Sequence, residues 1–417
     1  MERSPTPDQK LRADAPVPEP DPPAARGGDS GRRISAATLG LLATPTALSA
    51  NATTTALPDI ARDVGVPVST ATWIATVFGL AVAVGTPLAA ALLRHRGVRA
   101  AVLASTGLIV LGTVAVAFSE TMPGLLAGRA AQALGGSGLV TTAINLAGTP
   151  RRMGVITAGS GMCGALGPLA GSLLSEHASW HVALSLSALA LLAVPATLRR
   201  APAPSPARTA FDPVGAALSV ALISALAFLT RFPVPALVCA AVLSLALTAW
   251  IRHEPDGFVP AAVLRSPAFV MASGVVCALA TAYFALLYTV PRLLEDDAGW
   301  NSSQIGAGSL VALLIGSALS WGMAAYAHRM SVSAVLTVLL VLGVLAPVTA
   351  VLLATPAVLL AAAGVAVFVA ASGQATLSVV AGNAVAERQR TTTLGLFTLC
   401  YQLGGAFGPA IAALLLA

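Results

Sequence analysis

Side chains able to do chemistry are few in this 417-residue chain, and they are far apart. The five histidines, His95, His177, His181, His253 and His328, fall at the breaks between long apolar runs, as does every Asp and Glu after residue 33. Cys163, Cys239, Cys277 and Cys400 lie singly inside such runs, at spacings that fit neither a disulfide framework nor a metal site, and read as small buried packing residues. No nucleophile has a base at helical spacing, so an enzyme is the weakest reading, and no metal or cofactor is expected. What remains is polar chemistry inside apolar surroundings. Arg129 is a fixed cation within one run, a costly position unless it faces a cavity or a partner. Gln132 follows on the same helical face. Asn51, Thr54 and Thr55, at i, i+3 and i+4, form a polar stripe that either lines the same cavity or packs against a neighbouring helix. Groups of this kind bind and couple; they do not make or break bonds.

The elements that must position them are apolar stretches of about 18 to 25 residues, the length of a helix crossing a hydrocarbon core. Thirteen are predicted, at 34–57, 69–92, 98–118, 122–148, 153–175, 180–198, 212–230, 233–251, 267–291, 301–325, 331–354, 356–384 and 391–417. Backbone groups in lipid must satisfy one another, so the expected fold is an all-α transmembrane bundle. Composition agrees, with 56% hydrophobic residues, 10% charged residues and a mean hydropathy of +0.84. The net charge of +6 forms no continuous stripe, which argues against nucleic acid as a partner. With residues 1–33, a Pro-rich and charged tail read as disordered, in the cytoplasm, nineteen of the twenty-three Lys and Arg residues fall on the inner side. That asymmetry predicts a multi-pass inner-membrane protein with a cytoplasmic N-terminus. Trp73, Trp180 and Trp300 then fall at outer helix ends, Trp250 and Trp321 at inner ones.

Two halves are visible. In the fifth stretch, Gly161, Gly164, Gly167 and Gly171 recur at helical spacing, so one face carries almost no side chains and a neighbouring backbone can approach closely. Pro168 removes an internal hydrogen bond there. Gly164-Ala165-Leu166-Gly167-Pro168 is echoed in the last stretch by Gly405-Ala406-Phe407-Gly408-Pro409, preceded by Gly404. Internal repeats of this kind mark secondary transporters. The expected organisation is a six-helix bundle over 34–200, a linker with an inserted two-helix hairpin over 201–266, and a second bundle of about five helices over 267–417.

The order of motifs resembles the drug-exporting, fourteen-helix branch of the major facilitator superfamily. Four places carry the likeness: Ala56-Leu57-Pro58-Asp59-Ile60-Ala61-Arg62-Asp63; Thr72-Trp73-Ile74 with Gly85-Thr86-Pro87-Leu88-Ala89; Gly128 to Gly136 around Arg129; and Gly164 to Gly171. The resemblance implies a monomeric exporter of a small organic molecule, such as an antibiotic, drug or metabolite, driven by proton exchange. It assigns Arg129 to coupling or cargo binding and the fifth-helix glycines to conformational change. Departures accompany it. Ser49 or a neighbour stands where the family carries an acidic residue in its first helix. The gate loop keeps Arg94, Arg96, Gly97 and Arg99, yet has Ala90 and Arg94 where Gly and Asp are usual, which puts a charge-paired gate in doubt. A final helix of the second half is not seen before Ala417. With no acid deep in any span, Asp59 is the best candidate for a proton site, with a solvated loop carboxylate as the plainer alternative. The rival readings are an uptake carrier of the same fold and a non-transporting scaffold or sensor.

Overall fold

The computed structural model describes residues 34–201, 212–230, 232–300, 302–326 and 329–415. The tail, the core of the linker and Arg231 lie outside them, and the expectation of a disordered tail with them. Every regular element among the described residues is helical.

Helix α1, Ala36–Val64, is capped by Ser35, whose hydroxyl accepts from the Thr38 N–H at 3.1 Å, and ends where Gly65 turns left-handed at φ 70. It runs past the expected end at Leu57, because Asp59, Arg62 and Asp63 end the apolar run without ending the helix. Trp73–Phe118 covers 46 residues, too many for a single crossing. Gly97, at φ 80 and ψ 177, breaks it into α2 (73–96) and α3 (98–118), a conformation glycine reaches without cost. Then come α4, Met122–Ala147, and α5, Pro150–His177. In α6, Trp180–Arg200, the middle residues Ser185–Ala193 are wound as a 3-10 helix.

The stretch expected to be an inserted hairpin holds α7, Pro213–Ala227, with a 3-10 turn over Phe228–Thr230, and α8, Pro233–His253, which pack on each other. Five further helices follow: α9, Pro267–Asp296; α10, Ser302–Tyr326; α11, Val332–Leu353; α12, Pro356–Asn383; and α13, Arg390–Leu415. The thirteen expected crossings are therefore each represented by helix. In the first bundle α1 packs on α5 and α6, and α4 on the α2–α3 pair; in the second, α9 packs on α13 and α12, and α12 on α10 and α11. The bundles meet where α5 touches α10 and α12 and where α2 touches α13.

The outside is as apolar as the inside. Phe118, Leu111 and Leu103 on α3, Val242 and Leu245 on α8, and Val351 and Leu352 on α11 are all exposed. Such faces fit a hydrocarbon solvent, where an exposed Leu costs nothing. Cys239 on α8 is exposed among them, and Cys163, Cys277 and Cys400 are half-buried, so the expectation of four buried cysteines does not hold. Trp180 also departs from an interfacial role: it is buried, and its indole donates to Asp63 at 2.6 Å.

Candidate functional site

Between the bundles lies a cavity of about 260 Å³. Its first-bundle wall comes from α1, α2, α4 and α5 and includes Thr46, Asn51, Phe78, Thr86, Ser137, Thr157, Ser160, Gly161 and Gly164. Its second-bundle wall comes from α9, α12 and α13 and includes Tyr283, Phe284, Gln374, Thr398, Tyr401 and Gln402. None of the lining residues is charged. The two walls use their polar groups differently. On the first, Asn51, Thr86, Ser137 and Thr157 donate to main-chain carbonyls of Gly164, Val82, Leu134 and Met153, leaving Thr46 and Ser160. On the second, rings cluster, with Tyr283 and Phe284 at 4.7 Å and Phe284 and Tyr401 edge-to-face at 6.3 Å.

Arg129 is placed behind the first wall. It is fully buried, and so is Gln132. The guanidinium donates through Nη1 to Ser49 Oγ at 3.1 Å, Gln132 Oε1 at 2.9 Å and the Leu184 carbonyl at 2.9 Å, and through Nη2 to Thr53 Oγ1 at 2.7 Å. Phe78, a cavity residue, presents its ring face 4.2 Å from the guanidinium carbon. Ser49 thus occupies, against the arginine, the place where the family's acid was expected, and the cation is held by neutral acceptors from α1, α4 and α6. Ser49 Oγ also donates to the Leu184 carbonyl at 3.0 Å, immediately before α6 tightens into its 3-10 segment. The expectation that Arg129 and Gln132 share a cavity with the Asn51 stripe is therefore corrected: Arg129 faces the α1–α6 contact, Gln132 accepts from it and donates to Thr113 Oγ1 of α3 at 3.2 Å, and Phe78 stands between Arg129 and the open space.

The glycine face of α5 lies on α1. A Cβ added at Gly167 would stand 2.6 Å from Asn51 Cβ and 2.9 Å from the Leu48 carbonyl oxygen. At Gly171 it would collide with the Ala52 carbonyl, and at Gly161 it would meet Ser317 Oγ of α10 at 2.5 Å. Pro168 cannot donate to the carbonyl four residues earlier, which is that of Gly164. Asn51 Nδ2 supplies the missing hydrogen bond at 2.9 Å, and Thr55 Oγ1 donates to the Pro168 carbonyl at 3.0 Å. Asn51 thus faces the cavity and clamps α5 at once, whereas Thr55 serves the helix contact; the Thr54 side chain lies outside the described residues. In the second bundle, a Cβ at Gly408 would meet Phe284 Cβ at 2.5 Å, one at Gly404 would meet the Cys277 carbonyl oxygen at 2.8 Å, and Gly405 faces the Phe284 ring. The Pro409 side chain is likewise outside the described residues.

At one end the bundles are joined. Arg94 Nη1 donates to Thr392 Oγ1 at 3.4 Å and Nη2 to the Gly257 carbonyl at 3.4 Å, and Asn145 Nδ2 donates to Thr391 Oγ1 at 2.9 Å. Gly395 lies against Ala90 and Gly154 against Ala324, closely enough that a Cβ on either glycine would overlap its neighbour. Next to Arg94, the Asp212 carboxylate caps α7 at the Gly215 N–H (2.8 Å), accepts from the Phe258 N–H at 2.9 Å and from Trp250 Nε1 at 3.1 Å, and so ties the hairpin to the loop before α9. Arg94 crosses this junction by neutral acceptors. Arg96 is exposed, Gly97 makes the α2–α3 break, and Arg99 reaches the Leu198 carbonyl at 3.5 Å. At the opposite end Asp59 accepts from exposed Arg62 at 3.1 Å.

Sequence reasoning missed the second wall. Its signal was present: Gln374 and Gln402 are amides inside apolar stretches, and Tyr283 and Tyr401 lie within spans, away from the interfacial belt where tyrosine usually sits.

A family model described as the Major Facilitator Superfamily matches residues 39–409. The MFS-type transporter YvkA of Bacillus subtilis (strain 168) is 25% identical over 290 residues, 66% of this chain and 65% of its own length. The multidrug resistance protein Stp of Mycobacterium tuberculosis (strain ATCC 25618 / H37Rv) is 24% identical over 273 residues, 60% of this chain and 50% of its own. The chain thus spans between half and two thirds of the length of these relatives. Among solved structures, the human organic anion transporter MFSD10 (TETRAN) superposes with a TM-score of 0.62 at 21% identity, covering 92% of this chain and 93% of that one.

Proposed function

The chain belongs to the major facilitator superfamily, and from that premise we propose that it is a secondary transporter that exports a small organic molecule across the bacterial inner membrane. One observation carries the reading: an uncharged cavity between two bundles whose polar cross-bundle contacts gather at the end bearing Arg94 and Asn145. With the arginine-rich loops in the cytoplasm, as their excess directs, this is the arrangement shut toward the cytoplasm. Alternating access then consists of parting Thr391, Thr392, Gly395 and Ala324 from their neighbours while the mouth beside Asp59 and Trp180 closes. The glycine faces of α5 and α13 are the surfaces on which the helices shift, since small residues let packed backbones slide. Similarity to a multidrug resistance protein supports the outward direction. Proton exchange is the energy source in this reading, with Asp59 at the mouth as the carboxylate on α1 available to it, and one chain is the transport unit.

The test is flux in proteoliposomes holding the purified protein in one orientation. A panel of small aromatic compounds is loaded on the cytoplasmic side, with and without an imposed pH gradient. Export that rises with an inward proton gradient, and that is lost when Gly395→Leu wedges the cytoplasmic junction, is the expected result. Accumulation in the opposite direction would make the protein an uptake carrier, and absence of any flux would support a non-transporting role.

A further inference from the structure

The cavity's two walls are chemically unequal. Most polar side chains of the first wall are already bonded to helix carbonyls, as is Thr398 of α13, which donates to Leu394 O at 2.8 Å. Among the described residues, the amides of Gln374 and Gln402 and the phenols of Tyr283 and Tyr401 have no protein hydrogen-bond partner, although all four side chains are half-buried and line the cavity. A polar group withdrawn from bulk water without a partner is costly, so these four are where a ligand gains most. Each glutamine amide both donates and accepts, and each phenol does the same. Phe284, wedged between the two tyrosines, adds a ring face.

Resting on the reading of this cavity as the cargo site, we propose that its ligand is an uncharged, aromatic molecule whose amide, carbonyl or hydroxyl groups engage Gln374, Gln402 and the two tyrosines. Charge decides the class. A cation would gain a contact with the three rings, about 2 kcal/mol when desolvated. It would lose several kcal/mol of hydration with no carboxylate to replace it. Every Asp and Glu after the tail lies at a helix end or loop, and Arg129 adds an uncompensated positive charge one ring away. An anion fares little better, because the terminal nitrogens of Arg129 are committed to Ser49, Thr53, Gln132 and Leu184 and are screened by Phe78. A neutral amide or lactam keeps its hydrogen bonds and stacks. The volume of about 260 Å³ suits a compound near the lower end of the drug-sized range.

The experiment uses three probes of one shape: benzanilide, its 4-carboxylate and its 4-trimethylammonium derivative. Binding to the purified full chain in nanodiscs is measured by calorimetry, separately from flux. Benzanilide is expected to bind at least roughly tenfold more tightly than either charged probe, and Gln402→Leu or Gln374→Leu each to weaken it roughly three- to tenfold, the worth of one hydrogen bond. Both substitutions replace an amide by an apolar group in an apolar span, and an unchanged melting temperature shows that folding is intact. Gln402→Asn, which keeps the amide, should recover part of the loss. Equal or tighter binding of either charged probe, or neutral binding indifferent to both glutamines, or no binding of any probe at 1 mM on the order of a weak ligand's dissociation constant, would overturn the proposal. Neutral binding with glutamine dependence but no flux would uphold this inference and remove the transport reading; flux that prefers cations would do the reverse.

Discussion

The helix pair α1–α5 and its echo α9–α13 are built on the same glycine-proline pattern, and they spend their polar groups in opposite directions. Gly167 faces Asn51 and Ala52; Gly408, its counterpart, faces Phe284 and Ala285. Asn51 and Phe284 therefore hold equivalent places. Asn51 bonds the carbonyl that Pro168 leaves open, and Thr55, one turn on, bonds the next carbonyl of interest. In the second pair those places hold Phe284 and Tyr288, whose rings cannot clamp a carbonyl in that way. The first bundle turns its polarity inward, to lock helix on helix, and Arg129 extends the same habit to α4 and α6. The second bundle leaves its amides and phenols facing the cavity. An architecture repeated in sequence has divided its labour: one half holds shape, the other offers contacts.

The largest effect is expected at Arg129, and with an unusual order of substitutions. Arg129→Lys keeps a desolvated charge, but one ammonium cannot reach acceptors on α1, α4 and α6 together, so about 3–5 kcal/mol of stability should be lost, as when a buried charge loses its partners. Arg129→Leu removes the charge along with the bonds, and the Ser49 and Thr53 hydroxyls keep acceptors of their own in the Leu184 and Ser49 carbonyls. It should therefore unfold at a higher temperature than the lysine variant in detergent melts. If lysine proves the milder change, the cage is not a fixed multi-helix clamp. By contrast, Gln402→Leu should leave the melting temperature unmoved.

Next come the glycine faces. Gly167→Leu and Gly408→Leu each drive a branched side chain into a Cβ already within 2.6 Å or 2.5 Å of the position where a new Cβ would stand. Overpacking of that kind costs about 1–3 kcal/mol, and both variants should insert in the membrane yet transport nothing in vesicles. Transport retained by Gly408→Leu alone would show that only the first pair has to stay in close contact.

Much of this architecture was legible from residue order. Thirteen crossings follow from apolar length alone, and α1 and α9 outran their expected ends only because charged residues such as Asp59 and Glu295 stop a hydropathy run without stopping a helix. The echo of Gly164 and Gly405 gave the two halves. What hydropathy cannot give is the rotation of each helix about its axis, and the site depends on that. Arg129 looked like a cavity residue because a buried cation needs a partner, yet the partners lay on the far side, in Ser49, Thr53 and the Leu184 carbonyl. Tyr283 and Gln402 are each unremarkable alone; they matter only once α9, α12 and α13 are set side by side.

A smaller effect separates Asn51 from Phe284. Asn51→Leu leaves the Gly164 carbonyl without its donor inside the bundle, at a cost of about 1–3 kcal/mol, whereas Phe284→Leu removes ring contacts but no hydrogen bond. The first should lower the melting temperature with little change in benzanilide affinity per folded molecule, and the second should weaken benzanilide with little change in melting. Crossed results, with Phe284→Leu the more destabilising, would mean that the division between a holding half and a contacting half is misdrawn.

The smallest expected difference lies one turn further on, at Thr55 and Tyr288. Thr55 Oγ1 reaches the Pro168 carbonyl at 3.0 Å, but it does so near the surface of the helix pair, where the side chain is exposed. A hydrogen bond there contributes about 0.5–1.5 kcal/mol net, and the exposed setting places it at the lower end. Thr55→Val keeps the shape and removes only the donor, so the melting temperature should fall slightly. Tyr288 holds the equivalent place on α9 and is 54% exposed, its ring turned outward. Tyr288→Phe should therefore change nothing measurable. Should the tyrosine variant lose as much stability as the valine variant, the second helix pair would be clamped through its own polar groups as the first is, and the asymmetry between the halves would rest on Asn51 and Phe284 alone.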